Sequence, residues 1–266
     1  GLRTIPVMVE IAADVVRLAP GARLFNYGNP MTANVAAMTR HAGAEVVGLC
    51  HGMIHVQREL ARFARVPFEE TSSLYCGLNH LTFIYDLRWN GEDLWPRIRA
   101  RLAEERAQPV DPADVGVIWQ DGSRWAMNQF SWELFDRFGA YPAASDRHTT
   151  EFFPRRFAKG TYYGKTLGVD AFPLREILDW GEERYQTMRR EALGDAPLDE
   201  AMFHRSTGDQ EQLIEILRSI DRDSRATFSV NVPNGGLVPA LHADAVVEIP
   251  GIATARGLRP VAVPDL

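Results

Sequence analysis

Cysteine is scarce. The 266-residue chain carries two, Cys50 and Cys76. Two thiols make no disulfide framework, which points to a reducing, cytoplasmic setting. Lysine is scarce too, at Lys159 and Lys165 alone, and arginine carries the remaining positive charge. That reads as compositional bias rather than function. No basic block is present and the net charge is −6, which argues against a nucleic-acid partner. No apolar run reaches the roughly 18–20 residues of a membrane span, so no membrane partner is expected. Residues 1–6 lack the pattern of a signal peptide. They also lack an initiator Met and open inside what reads as a helix, so an incomplete chain is expected. A phosphate loop, a Gly-x-Ser-x-Gly elbow, a paired-cysteine zinc site and internal repeats are all missing. So is Gly-x-Gly-x-x-Gly, which belongs in the first βα turn of a dinucleotide-binding fold.

What is present is ordinary for a globular protein: 45% hydrophobic and 24% charged residues. The length suits one large domain or two small ones. Val7, Ile11, Val15 and Leu18 have helical spacing, and Pro20-Gly21 ends that segment. Residues 24–27 read as a strand and 31–41 as a helix with Met31, Val35 and Met38 on one face. The run from Ala44 to Leu49 reads as a buried strand, and Ile54, Leu60 and Phe63 mark another helix. Helix, strand, helix, strand, helix is the pattern of a parallel sheet with crossover helices. Two parallel strands cannot form a covered sheet alone, so further strands are expected before Gly1.

Residues 72–89 read as extended, with a turn at Asn90-Gly91. Helices are expected over 92–106, 127–138 (stopping at Gly139), 172–193 and 208–220. Residues 141–151 read as an irregular polar loop. A strand covers 225–232, a turn 233–236, and a last strand 245–249, followed by coil.

The strand ending at Leu49 delivers a thiol and an imidazole, Cys50-His51, to the edge where α/β sheets bind ligands. Thirty residues on, Gly77-Leu78-Asn79-His80 forms a second polar cluster. Cys50 and His80 together suit a divalent transition metal. Each alone is more often a packed residue than a ligand. His51 and His55 are four apart, but without the Glu of the zinc-protease signature. Asn29-Pro30 closes the first strand above the same edge. Asp146, His148 and Glu151 offer possible bases, or form a solvated loop.

These blocks, in order, resemble a known family, glycoside hydrolase family 4, the NAD- and metal-dependent glycosidases. The matching stretches are Leu2–Pro6, Asn26–Met31, Val47–Gly52, Gly77–His80, Phe138–Tyr141 with Ser145–His148, Val230–Gly235 and Val246–Pro250. The resemblance implies an α/β fold similar to lactate and malate dehydrogenases. Residues 1–66 would be the second half of a Rossmann-like domain whose NAD-binding first half is missing. Residues 67–266 would be an α+β substrate- and metal-binding domain, shortened at its C-terminal end. It implies NAD and a divalent metal, Mn²⁺ first, as cofactors, a small carbohydrate as substrate and a homo-oligomer as assembly.

The implied reaction is an exception to the two-carboxylate scheme of sugar cleavage. NAD⁺ takes a hydride from carbon 3, the ketone acidifies the proton on carbon 2, a base removes it and the aglycone leaves. Water then adds and the hydride returns. Carried over by motif, Cys50 and His80 are the metal ligands. Asn29 contacts sugar and cofactor, His51 contacts the sugar and assists acid–base steps, and Asn79 joins the substrate-binding set. Several family members use a Tyr base where this chain reads Ser145–Phe153 without one. Asp146 is then the first choice for base, His148 the second and Tyr141 an outsider. Members with His after the Cys resemble the branches acting on unphosphorylated α-glycosides. Two alternatives stand beside this reading: a degenerate metal-binding or oligomerisation module, and a 2-hydroxy acid dehydrogenase.

Overall fold

The computed structural model describes residues 1–117, 125–200 and 212–264. The chain opens with α1 (Thr4–Leu18), β1 (Leu24–Asn26), α2 (Met31–Ala42), β2 (Val46–Gly48) and α3 (Gly52–Phe63). The order is the expected one, and β1 pairs with β2 in parallel, Leu24 opposite Val46. On α2, Met31, Val35 and Met38 all turn inward. The stripe on α1 behaves differently. Ala12 is its buried contact, while Val7, Ile11 and Leu18 face outward.

Next come β3 (Thr71–Leu78) and β4 (Leu81–Trp89), an antiparallel hairpin. The extended reading of 72–89 resolves into two strands: the chain reverses at Asn79-His80, without the usual Asn-Gly signal. Gly77 makes the reversal possible. It sits at φ +156°, and a Cβ there would collide with the Leu81 carbonyl oxygen. Asn90 and Gly91 both have positive φ, at +49° and +84°, as a type I′ turn requires. They lead into β5 (Glu92–Asp93), so the helix expected from 92 begins later, as α4 (Trp95–Arg106). The Asp93 carboxylate accepts from the Trp95 N–H at 3.0 Å. Leu94, Ile98 and Leu102 are buried, as their spacing predicts.

The helix α5 (Gln129–Phe138) stops at Gly139, followed by β6 (Tyr141–Pro142). The irregular loop expected over 141–151 contains a short helix, α6 (Asp146–Thr149). A small hairpin, β7 (Thr161–Tyr162) and β8 (Lys165–Thr166), precedes α7 (Leu174–Leu193). Of the helix expected at 208–220, residues 208–211 lie outside the described residues; the rest falls in α8 (Leu213–Asp221). Finally come β9 (Thr227–Pro233), β10 (Val246–Thr254) and β11 (Gly257–Pro260). The coil expected after Ile249 is instead a continuation of β10 that folds back on itself. The Thr254 hydroxyl donates to the Gly257 carbonyl at 2.8 Å and closes that turn.

One mixed sheet unites the chain, in the order β1-β2-β9-β10-β3-β4-β5, with β11 on β10 and β6 on β4. Its two parts meet where β2 pairs antiparallel with β9, Gly48 opposite Asn231. A Cβ on Gly48 would stand 2.6 Å from Met31 Sδ and 2.9 Å from Asn231 Cβ. Only glycine lets strand and helix approach this closely. One core packs α3, α4 and α5 against the β3–β4 hairpin through Leu60, Ile84, Ile98 and Phe135. A second packs α8 against β9 and β10 through Ile216, Ile220, Val230 and Ile249. Among the described residues, no helix is long and apolar enough to cross a membrane.

Candidate active site

A cavity of about 610 Å³ opens where β1 and β2 end. The turn after β1 contributes Asn29. Its shape comes from Asn26, whose side chain accepts from the Gly28 N–H at 3.1 Å and donates to the Gly28 carbonyl at 3.0 Å. Asn34 on α2 donates to that same carbonyl at 3.0 Å. The Asn29-Pro30 bond is cis. After β2, Cys50 and His51 line the cavity. Cys50 Sγ accepts from the Gly52 N–H at 3.5 Å, at the start of α3. Neither cysteine is in a disulfide. Cys76 is buried, and burial pushes its thiol up to about 11.

From the opposite side, the β3–β4 turn brings His80 and the α6 segment brings Ser145, Arg147 and His148. The His80 and His148 rings stack, with centroids 4.2 Å apart and planes 26° apart. Burial first, then His148, His51 and Arg147 against the opposing pull of Glu151, holds the His80 imidazole down at about 4; burial, then Arg147 and His51, holds that of His148 at about 4 as well. They are therefore neutral near pH 7, the form that ligates a metal or accepts a proton. His148 Nδ1 stands 3.7 Å from Glu151 Oε1. His55 also lines the cavity, with its Nε2 3.1 Å from Glu59 Oε1.

Two residues of the expected site lie off the cavity wall. Asp146 is fully buried and is absent from the cavity wall. Its carboxylate accepts from the Phe130 N–H at 2.6 Å, the Ser131 N–H at 2.8 Å, the Ser131 hydroxyl and the Tyr162 hydroxyl. Phe130 and Ser131 are in the first turn of α5, so Asp146 caps that helix from outside its own segment. With its oxygens engaged this way, it anchors the segment that carries His148. Burial, opposed by these hydrogen bonds, holds it up at about 6. Asn79 is also turned away from the cavity. It is buried, and its Nδ2 donates to Glu248 at 3.4 Å. Tyr141, the outsider, lies in the aromatic core beside Trp132. Burial drives its hydroxyl far above the ordinary tyrosine range.

Glu248 is the residue the sequence missed. It lies buried on β10, opposite Asn231 and Gly77. Besides Asn79, it accepts from the Thr82 hydroxyl at 2.7 Å and the Ser229 hydroxyl at 3.0 Å. The Ser229 N–H donates to Gln212 Oε1 at 3.2 Å, and Gln212 Nε2 donates to the Cys50 carbonyl at 3.2 Å. One hydrogen-bonded path thus runs from Cys50 to the residue beside His80. Burial raises the Glu248 carboxyl above its usual range, against the pull of these donors. The signal was available as a lone acid inside Val246-Val247-Glu248-Ile249, a strand otherwise apolar.

The donor set suits a divalent transition metal: one thiol and one neutral imidazole lining the same cavity. Among the described residues, no group of three His, Cys, Asp or Glu stands together as a closed metal site. The parallel strands turn their carboxyl ends to the cavity, where sheets of this type hold dinucleotides.

The fold is shared with lactate and malate dehydrogenases. The lactate dehydrogenase from Eimeria maxima, solved with NADH and oxamate, superposes over 98% of this chain and 59% of its own length, with a TM-score of 0.51 at 14% identity. The family is narrower than that fold. The model of family 4 glycosyl hydrolases matches residues 1–66, and that of the family 4 glycosyl hydrolase C-terminal domain matches residues 75–266. The chain belongs to family 4 of the glycosyl hydrolases.

An α-galactosidase of Bacillus subtilis (strain 168) is 28% identical over 97% of this chain and 55% of its own length. An α-galacturonidase of the same organism is 28% identical over 98% of this chain and 58% of its own. A 6-phospho-α-glucosidase from gut microorganisms, solved in complex with NAD and Mn²⁺, shares the fold with a TM-score of 0.71 at 23% identity. It is covered over 58% of its length. The chain spans about half the length of the relatives it matches.

Proposed function

We propose that the protein cleaves α-glycosides through oxidation at carbon 3, elimination and addition of water. The observation that carries this is the convergence of Asn29, Cys50, His51, His80 and His148 on one cavity at the ends of the parallel strands. Supporting it are the family and the solved relative that holds NAD and Mn²⁺. When bound, NAD⁺ supplies a hydride acceptor for carbon 3, and the divalent ion a Lewis acid for the neighbouring sugar oxygens. Cys50 and His80 would hold the ion, leaving its other positions to those oxygens. Asn29 hydrogen-bonds the sugar where it meets the cofactor.

His148 takes the proton from carbon 2. Its low basicity is offset by the acidity of a carbon beside a carbonyl. Glu151 faces the imidazolium that forms, and His51 returns a proton to the departing oxygen. Asp146 acts one step back, by fixing the segment that carries His148. In this reading residues 1–66 complete the cofactor-binding part and residues 67–266 carry substrate and metal. The protein works in the cytoplasm as a homo-oligomer.

The test is hydrolysis of nitrophenyl α- and β-glycosides by the whole protein under reducing conditions, with and without NAD⁺ and Mn²⁺. Turnover of α-glycosides that requires both additives is expected. A folded protein inert under every combination overturns the reading in favour of a degenerate module.

A further inference from the structure

The protein is acidic overall, with 35 acidic residues against 29 basic, yet its cavity is not. Among the described residues a single carboxylate lines it, Glu59, and that one is paired with His55 at 3.1 Å. Among the same residues a single permanent cation lines it as well, Arg147. Arg147 is half-buried, and among the described residues its guanidinium has no ion pair or hydrogen bond. The acids nearest in sequence do not serve it. Asp146 points into the core at Phe130, Ser131 and Tyr162. Glu151 faces His148 at 3.7 Å. What Arg147 does face is cationic or neutral: its field reaches His80 and His148.

A half-buried guanidinium without a counter-charge is costly to maintain. It fits a planar, two-oxygen anion, to which arginine offers two parallel N–H donors. We infer that Arg147 binds an anionic substituent of the sugar, a carboxylate or a phosphate, so that the cavity selects acidic over neutral glycosides. This rests on the glycosidase reading and narrows its substrate class. The relatives alone do not decide it, because their names divide between a neutral sugar, galactose, and an acidic one, galacturonic acid.

The test is calorimetric binding of six monosaccharides to the protein: glucose and galactose, their uronic acids and their 6-phosphates. The acidic member is expected to bind roughly tenfold to a hundredfold more tightly than the neutral sugar of the same configuration, the range of a charge-assisted bidentate contact. The tighter of the uronate and phosphate arms names the anion. Arg147→Met should erase the preference with little change for the neutral sugar. Arg147→Lys should restore part of it, since the charge returns without the fork. A second measurement needs no variant: added salt should weaken acidic binding and spare neutral binding. Equal binding of acidic and neutral sugars, or a preference that survives Arg147→Met, overturns the inference and leaves the glycosidase reading standing. Failure of every sugar to bind overturns both.

Discussion

Two carboxylates lie buried behind the walls of the cavity, and they hold different things. Asp146 takes four donors from one neighbourhood: the first turn of α5, the Ser131 hydroxyl and Tyr162. It fastens a single loop. Glu248 collects its donors from three separated stretches, Asn79 in the hairpin turn, Thr82 on β4 and Ser229 on β9. Through Gln212 it extends to the Cys50 carbonyl. Asp146 is a local clamp, and Glu248 a cross-brace between the two walls. The difference teaches that an acid close in sequence to a functional motif is not thereby the reactive acid. The direction its side chain takes decides that, and both of these point away from the cavity.

The largest effects should come from the cavity itself, where neither carboxylate sits. Cys50→Ser should abolish Mn²⁺ binding by calorimetry and activity together, while Cys76→Ser, deep in the core, should keep both. Equal losses from the two would break the assignment of Cys50 as a ligand. His148→Ala should lower kcat by about 10²–10⁴-fold, the usual contribution of a positioned base, at unchanged melting temperature.

The clamp comes next. Asp146→Ala leaves buried N–H and O–H donors without an acceptor and should cost about 3 kcal/mol of stability in urea titrations. A loss below about 1 kcal/mol, with activity gone, would return Asp146 to the chemistry. Its pH dependence sharpens the point. Asp146 is held up at about 6 in the folded protein against an ordinary 3.8. The folded state therefore binds this proton first as pH falls. Between pH 6 and 4 the native protein should gain stability relative to Asp146→Asn, and a flat difference across that window would contradict the assignment.

The cross-brace should show the smallest cost in stability and the more telling change in binding. Glu248→Gln keeps the shape and loses the charge, at about 1–2 kcal/mol. It should weaken Mn²⁺ binding severalfold by loosening the turn beneath His80. If Mn²⁺ affinity is unchanged while stability falls, the brace serves the sheet alone.

Much of this was legible because the signals were local. Gly139 ends α5 and Asn90-Gly91 turns β4 into β5 because positive φ is written in those residues. Met31, Val35 and Met38 declare the inner face of α2 by spacing alone. The cavity residues Asn29, Cys50, His51, His80 and His148 were readable as an ordered set. The rest depended on direction and on partners distant in sequence. Asn79-His80 carries no ordinary hairpin signal, so the turn that carries His80 was read as strand. On the short helix α6, successive side chains face different ways. His148 reaches the cavity while Asp146, two residues earlier, goes to the core. No spacing rule separates them without knowing where Tyr162 and α5 lie. The role of Glu248 required Asn79, Thr82 and Ser229 at once, two of them more than 160 residues away in sequence.

The pairing of Gly48 with Asn231 joins positions 183 residues apart. At the pace of protein synthesis, roughly 5–20 residues per second, the β1–β2 pair waits on the order of ten to forty seconds before β9 is made. Until then its inner edge has no neighbour from its own chain, and the strand that ends beside Cys50 is open to whatever it meets. Birth on the ribosome is thus the moment at which this sheet is most exposed to wrong partners.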